Sequence, residues 1–481
     1  MQNDVVELIA TVSGFETDEI SYNDYLEEDL GFDSIMMIDL YQTILNSKLD
    51  LNVQNITKEK LRNDVTVDDF LKLLGAKTNN EPQNKTVVGQ LEEIQAFKEY
   101  FQTKASQIPY FKKNQGVARN KMLIDGNSYI NFSTYNYLGL NGNQEVSDYA
   151  IDAIKKYGTS VSGSRLLSGE IEIHQKLERE ISSFLGTEDS LVQVGGHSTN
   201  ISVITSLVNS QDLIIHDSLS HNSIIQGAIY SGAQRKAFKH NDMNSLDKLL
   251  SRLHSKFRRI LIIVEGVYSM DGDICDLPNL LKIKEKYGAM LMIDEAHSFG
   301  TIGKHGRGVT SYFDVDPTNI DILMGTLSKS ASSCGGYIAG SKDLINYLRY
   351  NMGGFVFSCG ITPSNAAAAL KSIEIMKRDD ISSTLMDNSK YFLSQLKELS
   401  IDTGLSSDTP IVPWIIGDSD KTLMISNKLF ELGVNAMPII YPAVNEEESR
   451  IRFFISSLHT KEDLDRTIEV IKNIKKYNEG K

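Results

Sequence analysis

The chain has 481 residues, 41% hydrophobic and 23% charged, the balance of a folded globular protein and too long for one core of ordinary size. Its formal net charge of −14 argues against nucleic acid or anionic membrane as a partner, since both demand basic patches. Cys275, Cys334 and Cys359 form neither a disulfide framework nor a zinc motif, MQNDVVELIA is not a signal peptide, and no apolar run reaches a membrane span, so a reducing cytoplasm is expected.

Residues 1–77 hold 16 acidic and 6 basic side chains and so carry most of the net charge. Apolar spacing in Val5, Leu8, Ile9 and Val12, in Ile35 to Leu45 and in Phe70 to Leu74 predicts a helical module. In its middle, EEDLGFDSIMMIDLYQTIL sets Ser34 at the start of an amphipathic helix beside Asp33, Glu27, Glu28 and Asp29. Taken alone, that serine reads as a helix cap. Residues 78–90, polar and containing Pro82, read as a linker.

A short amphipathic helix is predicted from Leu91 to about Phe101, then a hairpin in KMLIDGNSYINFS turning at Asp125-Gly126. Apolar strands then alternate with helices: DSLVQV, DLIIH, RRILIIVEG, AMLMID and DILMG. Unbroken apolar strands imply a mostly parallel sheet covered on both faces, an α/β domain of roughly doubly wound type. Near Asp379 the pattern changes to a long helix, PIVPWIIG, a helix from Lys421 to Leu432, RIRFFISS and a closing helix, which implies a smaller α+β lobe. The expected division is 1–77, 78–90, an arm and large domain over 91–378, and a small domain over 379–481.

Three stretches carry chemistry. GTLSKSASSCGGYIAG places Lys329 among small residues after an apolar strand, where desolvation would lower its pKa and free it for Schiff-base formation; alone it would pass for a surface lysine. In AMLMIDEAHSFGTIG, Asp294 ends an apolar strand, at the crevice of strand ends where α/β folds hold ligands, and needs a cationic partner. The protonated pyridine nitrogen of pyridoxal phosphate would serve. His297 would reach the ring's phenolic oxygen or the substrate; a metal site, for which further ligands are lacking, or a structural histidine are the rival readings. VQVGGHSTN runs from strand through two glycines into a helix, so Gly196, His197 and Ser198 suit a phosphate cradle, or simply a turn.

From about residue 95 to 478 these motifs, in order, resemble the α-oxoamine synthases, fold-type I pyridoxal-phosphate enzymes. The resemblance implies Tyr135 and Asn136 of TYNYLGL near a bound amino acid, His221 of HDSLSHNSI stacked on the cofactor ring, and Thr326 and Ser328 on its phosphate. It gives Lys329, Asp294 and His297 their roles, makes Ser358 of FSCGITPS reach a neighbouring subunit's phosphate in a homodimer with shared sites, and makes Arg452 of SRIRFF the carboxylate binder. For Arg450 a strand-edge surface position is the alternative. One departure is His197, where the family often has an aromatic residue, which alters the expected shape of the acyl entrance.

The acidic first 77 residues, with LGFDS at their centre, resemble an acyl carrier protein, a four-helix module whose serine, here Ser34, bears 4'-phosphopantetheine. The implied activity is a decarboxylative condensation of an amino acid with a carrier-bound acyl thioester, giving an α-amino ketone. A phosphopantetheinyl transferase and an acyl-loading enzyme are the implied partners. A fold-type I aminotransferase or lyase, and a non-catalytic carrier or scaffold, are the alternatives.

Overall fold

The computed structural model describes residues 2–26, 29–32, 34–47, 65–74, 88, 91–104 and 109–479. The chain divides into two compact units, Met1–Ala105 and Ser106–Lys481.

In the first unit, helices Gln2–Ser13, Ser34–Asn46 and Val67–Leu73 enclose a core of their own. Val5 and Ile9, one turn apart, are fully buried with Leu40, Phe70 and Leu71, while none of the described acidic residues of the unit is buried. Thr66 caps the third helix by accepting from the Asp69 amide, and Tyr25 bridges to Thr66 to tie the loop before Ser34 to that cap. Ser34 is the first residue of its helix. Three helices of the expected four-helix module thus lie within the described residues, and residues 48–64 lie outside them. So do Glu27, Glu28, Asp33 and, apart from Val88, the 78–90 linker. Helix Glu92–Lys104 completes the unit.

In the second unit, β1 (Lys121–Ile124) and β2 (Asn127–Asn131) form the expected hairpin. Asp125 and Gly126 both have positive φ, 48° and 76°, the twist that a two-residue connection needs. The strands of the large sheet are β3 (Asp189–Gln193), β4 (Leu213–Asp217), β5 (Gln234–Phe238), β6 (Ile260–Glu265), β7 (Met290–Asp294), β8 (Ile322–Thr326) and β9 (Gly336–Gly340). Their order is β3-β9-β8-β7-β6-β4-β5, with β9 antiparallel to both neighbours and the others parallel. β4, β6 and β8 are buried at every position, which is why they read as continuous apolar runs.

β10 (Ile411–Ile415), β11 (Val434–Asn435), β12 (Met437–Ile439) and β13 (Arg450–Phe454) follow. β10, β13 and β12 make a small antiparallel sheet under helices Ile381–Glu398, Ser419–Glu431 and Lys461–Glu479. The hairpin, which the sequence groups with the large domain, instead pairs with this lobe: β11 runs parallel to β2. Among the described residues no helix is long and apolar enough to cross a membrane.

Candidate active site

The parallel strands β4, β6, β7 and β8 end together, and the residues at or just beyond those ends, His221, Glu265, Asp294 and Lys329, line one cavity of about 310 Å³. A parallel sheet opens such a crevice where its strands stop and their connections diverge. Tyr135, from the loop after β2, and Arg452, from β13, close it on the side of the small lobe.

Lys329 is enclosed. Burial lowers its amine to about 8, against the opposing pull of Asp294 and Glu265. The amine stands 5.4 Å from the centre of the Tyr135 ring and makes no hydrogen bond or ion pair among the described residues. A neutral amine is the nucleophile, so pyridoxal phosphate added to cofactor-free protein should bind covalently at a rate that rises with pH and levels off above about 8. An ordinary lysine would keep accelerating beyond pH 10. Stopped-flow absorbance across pH 6 to 10 reads the midpoint.

Asp294 is 4% exposed, with Oδ1 accepting from the Ala296 amide and Oδ2 from Asn200 Nδ2 at 2.8 Å. No cation lies within ion-pair distance of it among the described residues. Across the register of β6 and β7, Glu265 sits beside Asp294. Burial, and then the neighbouring Asp294 charge, push the Glu265 carboxyl well above the carboxylate range. Its Oε1 accepts from the His221 amide at 2.6 Å, anchoring the loop that presents that imidazole.

Asn200 also donates to Ser223 Oγ at 2.9 Å, and Ser223 meets His221 Nδ1 at 2.7 Å, so one chain of hydrogen bonds links His221 to Asp294. Burial lowers the His221 pKa, against the pull of Asp294. His297, 6% exposed, has its pKa pushed well down by burial and by the Lys329 and Arg452 charges, so it is neutral.

At the other end, Gly196 opens helix Gly196–Leu207 against the end of β8. A Cβ on Gly196 would lie 2.9 Å from Thr326 Cβ and Oγ1, so only glycine leaves this approach clear. Thr326 Oγ1 and Ser328 Oγ are 2.7 Å apart at the same spot. His197 stands exposed on the rim, its ring 6.3 Å from that of His221.

Arg452 is buried beside Phe454, its guanidinium carbon 4.5 Å from the ring centre, and Nη1 donates to the Ser269 carbonyl at 2.7 Å. It has no carboxylate partner among the described residues. Arg450 is no surface residue: it is 3% exposed and paired with Asp271 at 2.7 Å. The alternation of a strand puts the two arginines on one side of β13, yet only one is neutralised.

One residue expected at the amino acid lies elsewhere. Asn136 does not line the cavity: its Nδ2 donates to the Ala118 carbonyl at 3.1 Å and its Oδ1 accepts from the Asn141 amide at 3.1 Å, so the side chain is spent on holding the loop that presents Tyr135. Ser358, expected at a neighbouring subunit's phosphate, is half-buried on a separate stretch, donating to the Cys359 carbonyl. Glu265, Asn200 and Tyr137 line or support the site and were not singled out by sequence. The first two lie inside EGVYSMDGD and VQVGGHSTN, where polar residues entering buried positions were the available signal.

These residues fit pyridoxal phosphate. A buried carboxylate without a cation suits a ring nitrogen, the glycine-cleared helix N-terminus suits a phosphate, and an unpartnered amine suits an aldehyde. The class this fold and cavity define is that of the fold-type I pyridoxal-phosphate-dependent transferases. The aminotransferase class I and II family matches residues 127–471, and the phosphopantetheine attachment site family matches residues 3–57. The chain is 41% identical over 357 residues to 8-amino-7-oxononanoate synthase of Thermoanaerobacter pseudethanolicus, covering 74% of this chain and 90% of that one. It is 38% identical over 371 residues to serine palmitoyltransferase of Sphingobacterium spiritivorum, covering 77% and 92%. A solved serine palmitoyltransferase holding pyridoxal phosphate superposes with a TM-score of 0.76 at 28% identity, over 81% of this chain and 98% of that one. The chain belongs to the α-oxoamine synthase family and carries a phosphopantetheine attachment domain at its N-terminal end.

Proposed function

We propose that this enzyme condenses an amino acid with an acyl thioester carried on its own phosphopantetheine domain, releasing carbon dioxide and an α-amino ketone. The observation that carries the reading is Arg452, a buried guanidinium with no carboxylate opposite it among the described residues, in the same cavity as the unpartnered Lys329 amine. A buried cation left unpaired is costly unless the ligand supplies its anion. An amino-acid carboxylate does so, and its planar pair of oxygens matches the guanidinium fork.

Pyridoxal phosphate, when bound, supplies the electron sink that lets negative charge develop beside the amino-acid nitrogen. Asp294 would hold its ring nitrogen, His221 its ring face, and Gly196, His197, Thr326 and Ser328 its phosphate. Ser358 would reach the phosphate of a second subunit in a homodimer. Lys329 takes the α-proton at Nζ and returns it at the end. His297 orients the thioester carbonyl or the cofactor's phenolic oxygen. Tyr135 borders the amino acid. Asn136 supports Tyr135 and is not assigned the carboxylate.

The acyl donor is delivered from Ser34, which the phosphopantetheine family match over residues 3–57 supports. That arm requires a phosphopantetheinyl transferase and a separate acyl-loading enzyme. Three unpaired cysteines suit a cytoplasmic setting.

Incubating the phosphopantetheinylated protein with a panel of amino acids and acyl donors, read by product mass, tests the whole reading. An α-amino ketone with the mass of amino acid plus acyl thioester less carbon dioxide and the free thiol, which stays on the phosphopantetheine arm when the donor is carrier-bound, is expected; transamination products alone would replace the reading. Within that assay Arg452→Lys should raise the amino-acid KM about 10-fold to 100-fold, the scale of one charge-assisted hydrogen bond. The acyl-donor KM should hold.

A further inference from the structure

Tyr137 is fully buried, and its hydroxyl lies 2.8 Å from Nδ1 of His297 with no other hydrogen-bond partner among the described residues. Which atom donates decides what the imidazole shows to the cavity. If Nδ1 carried the proton, the Tyr137 hydroxyl would have to accept it, and its own hydrogen would be stranded in a dry interior. With the hydroxyl donating to Nδ1, neither the Tyr137 hydroxyl nor Nδ1 is left unpaired, and the ring proton sits on Nε2. That nitrogen has no protein partner among the described residues, and His297 lines the cavity.

We infer that Tyr137 is a positioning residue that locks His297 in its Nε2–H tautomer, so that His297 meets the bound molecules as a neutral hydrogen-bond donor and not as a base.

Several independent features agree. Burial holds the Tyr137 phenol well above its ordinary pKa, so it keeps the proton it donates. The Lys329, Arg452 and His221 charges around His297 all disfavour a second proton on the ring. The ring lies nearly parallel to Phe454, with centres 6.4 Å apart, and edge-on to Tyr135 at 5.9 Å, and turning it over would take Nδ1 away from the Tyr137 hydroxyl. His221 is arranged the same way, its Nδ1 accepting from the Ser223 amide, which can only donate. Both cavity histidines therefore carry their ring proton on Nε2, and proton transfer is left to Lys329. A donor is what a developing oxyanion on a thioester carbonyl requires.

This rests on the proposed reaction for its purpose, but not for its test. The protein labelled with [15N]histidine contains nine imidazoles, and subtracting the spectrum of His297→Gln isolates one of them. Solid-state 15N shifts of the full-length, cofactor-loaded chain should show His297 Nδ1 unprotonated and Nε2 protonated. In Tyr137→Phe the His297 signals should change, with a second, Nδ1-protonated population appearing, and kcat should fall while the amino-acid KM stays within about twofold. A wild-type His297 protonated on Nδ1 overturns the inference, as does a Tyr137→Phe spectrum identical to wild type. The wild-type measurement decides even if the variant does not fold, and it is independent of whether any ketone is formed.

Discussion

Lys329→Ala is expected to lower product formation by about 10³-fold, the scale of a lost proton-transfer group. The absorbance of the covalently held cofactor should vanish with it. The argument is positional. Lys329 lines the cavity, its amine is lowered to about 8, and no group among the described residues competes for it. Removing it strands no partner, because Asp294 and Glu265 keep their hydrogen bonds to Asn200 and the His221 amide. The variant should therefore fold and melt like wild type, and cofactor should still bind reversibly through the glycine-opened cradle. An unaltered absorbance band would assign the covalent link to another lysine. Undiminished turnover would remove Lys329 from the chemistry altogether.

For the carrier, Ser34→Ala should abolish both the mass gain produced by a phosphopantetheinyl transferase and all condensation that depends on a protein-bound donor. The synthase body should remain intact, so a small free acyl thioester at millimolar concentration should still be used by the variant. That pairing separates failure of the arm from failure of the site. A tethered thioester faces its target at an effective concentration that can reach the millimolar range, so free donors at micromolar levels should compete poorly in the wild type. If the variant condensed acyl groups from loaded preparations as fast as wild type, the N-terminal domain would be irrelevant to acyl delivery.

Much of this site is legible in sequence because polar residues interrupt apolar strands only for a reason. Asp294 and Lys329 sit at or just past the ends of buried strands, where a charge must meet a ligand. What escaped reading depends on tertiary context. β5 is an edge strand whose QRKAF is exposed at four of five positions, so no apolar pattern marks it. β9 is hidden in glycine-rich sequence, because its small residues are demanded by neighbours such as Thr199 and the loop at Gly195. Asn136 was misplaced because an amide can serve either a ligand or a loop, and only the coordinates show both of its ends taken by backbone. Tyr137 resembles any buried tyrosine until its hydroxyl is seen facing His297.

The pairing of β2 with β11 also bears on the order in which the molecule is born. Asn131 and Asn435, hydrogen-bonded at 2.9 Å, are 304 positions apart, so at roughly 5–20 residues per second a ribosome needs about 15–60 s between making the two. Throughout that interval the first hairpin waits with an open edge while the large sheet, residues 189–340, is completed beside it. Tyr135 is carried just beyond that waiting hairpin, and Arg452 emerges later still. The nascent chain can thus assemble the Lys329 and Asp294 half of the cavity well before the half that grips an amino acid. A truncated or stalled product would hold cofactor-binding parts without a substrate clamp, and synthesis of the stretch that carries β11 and β13 is the step that commits the chain to activity.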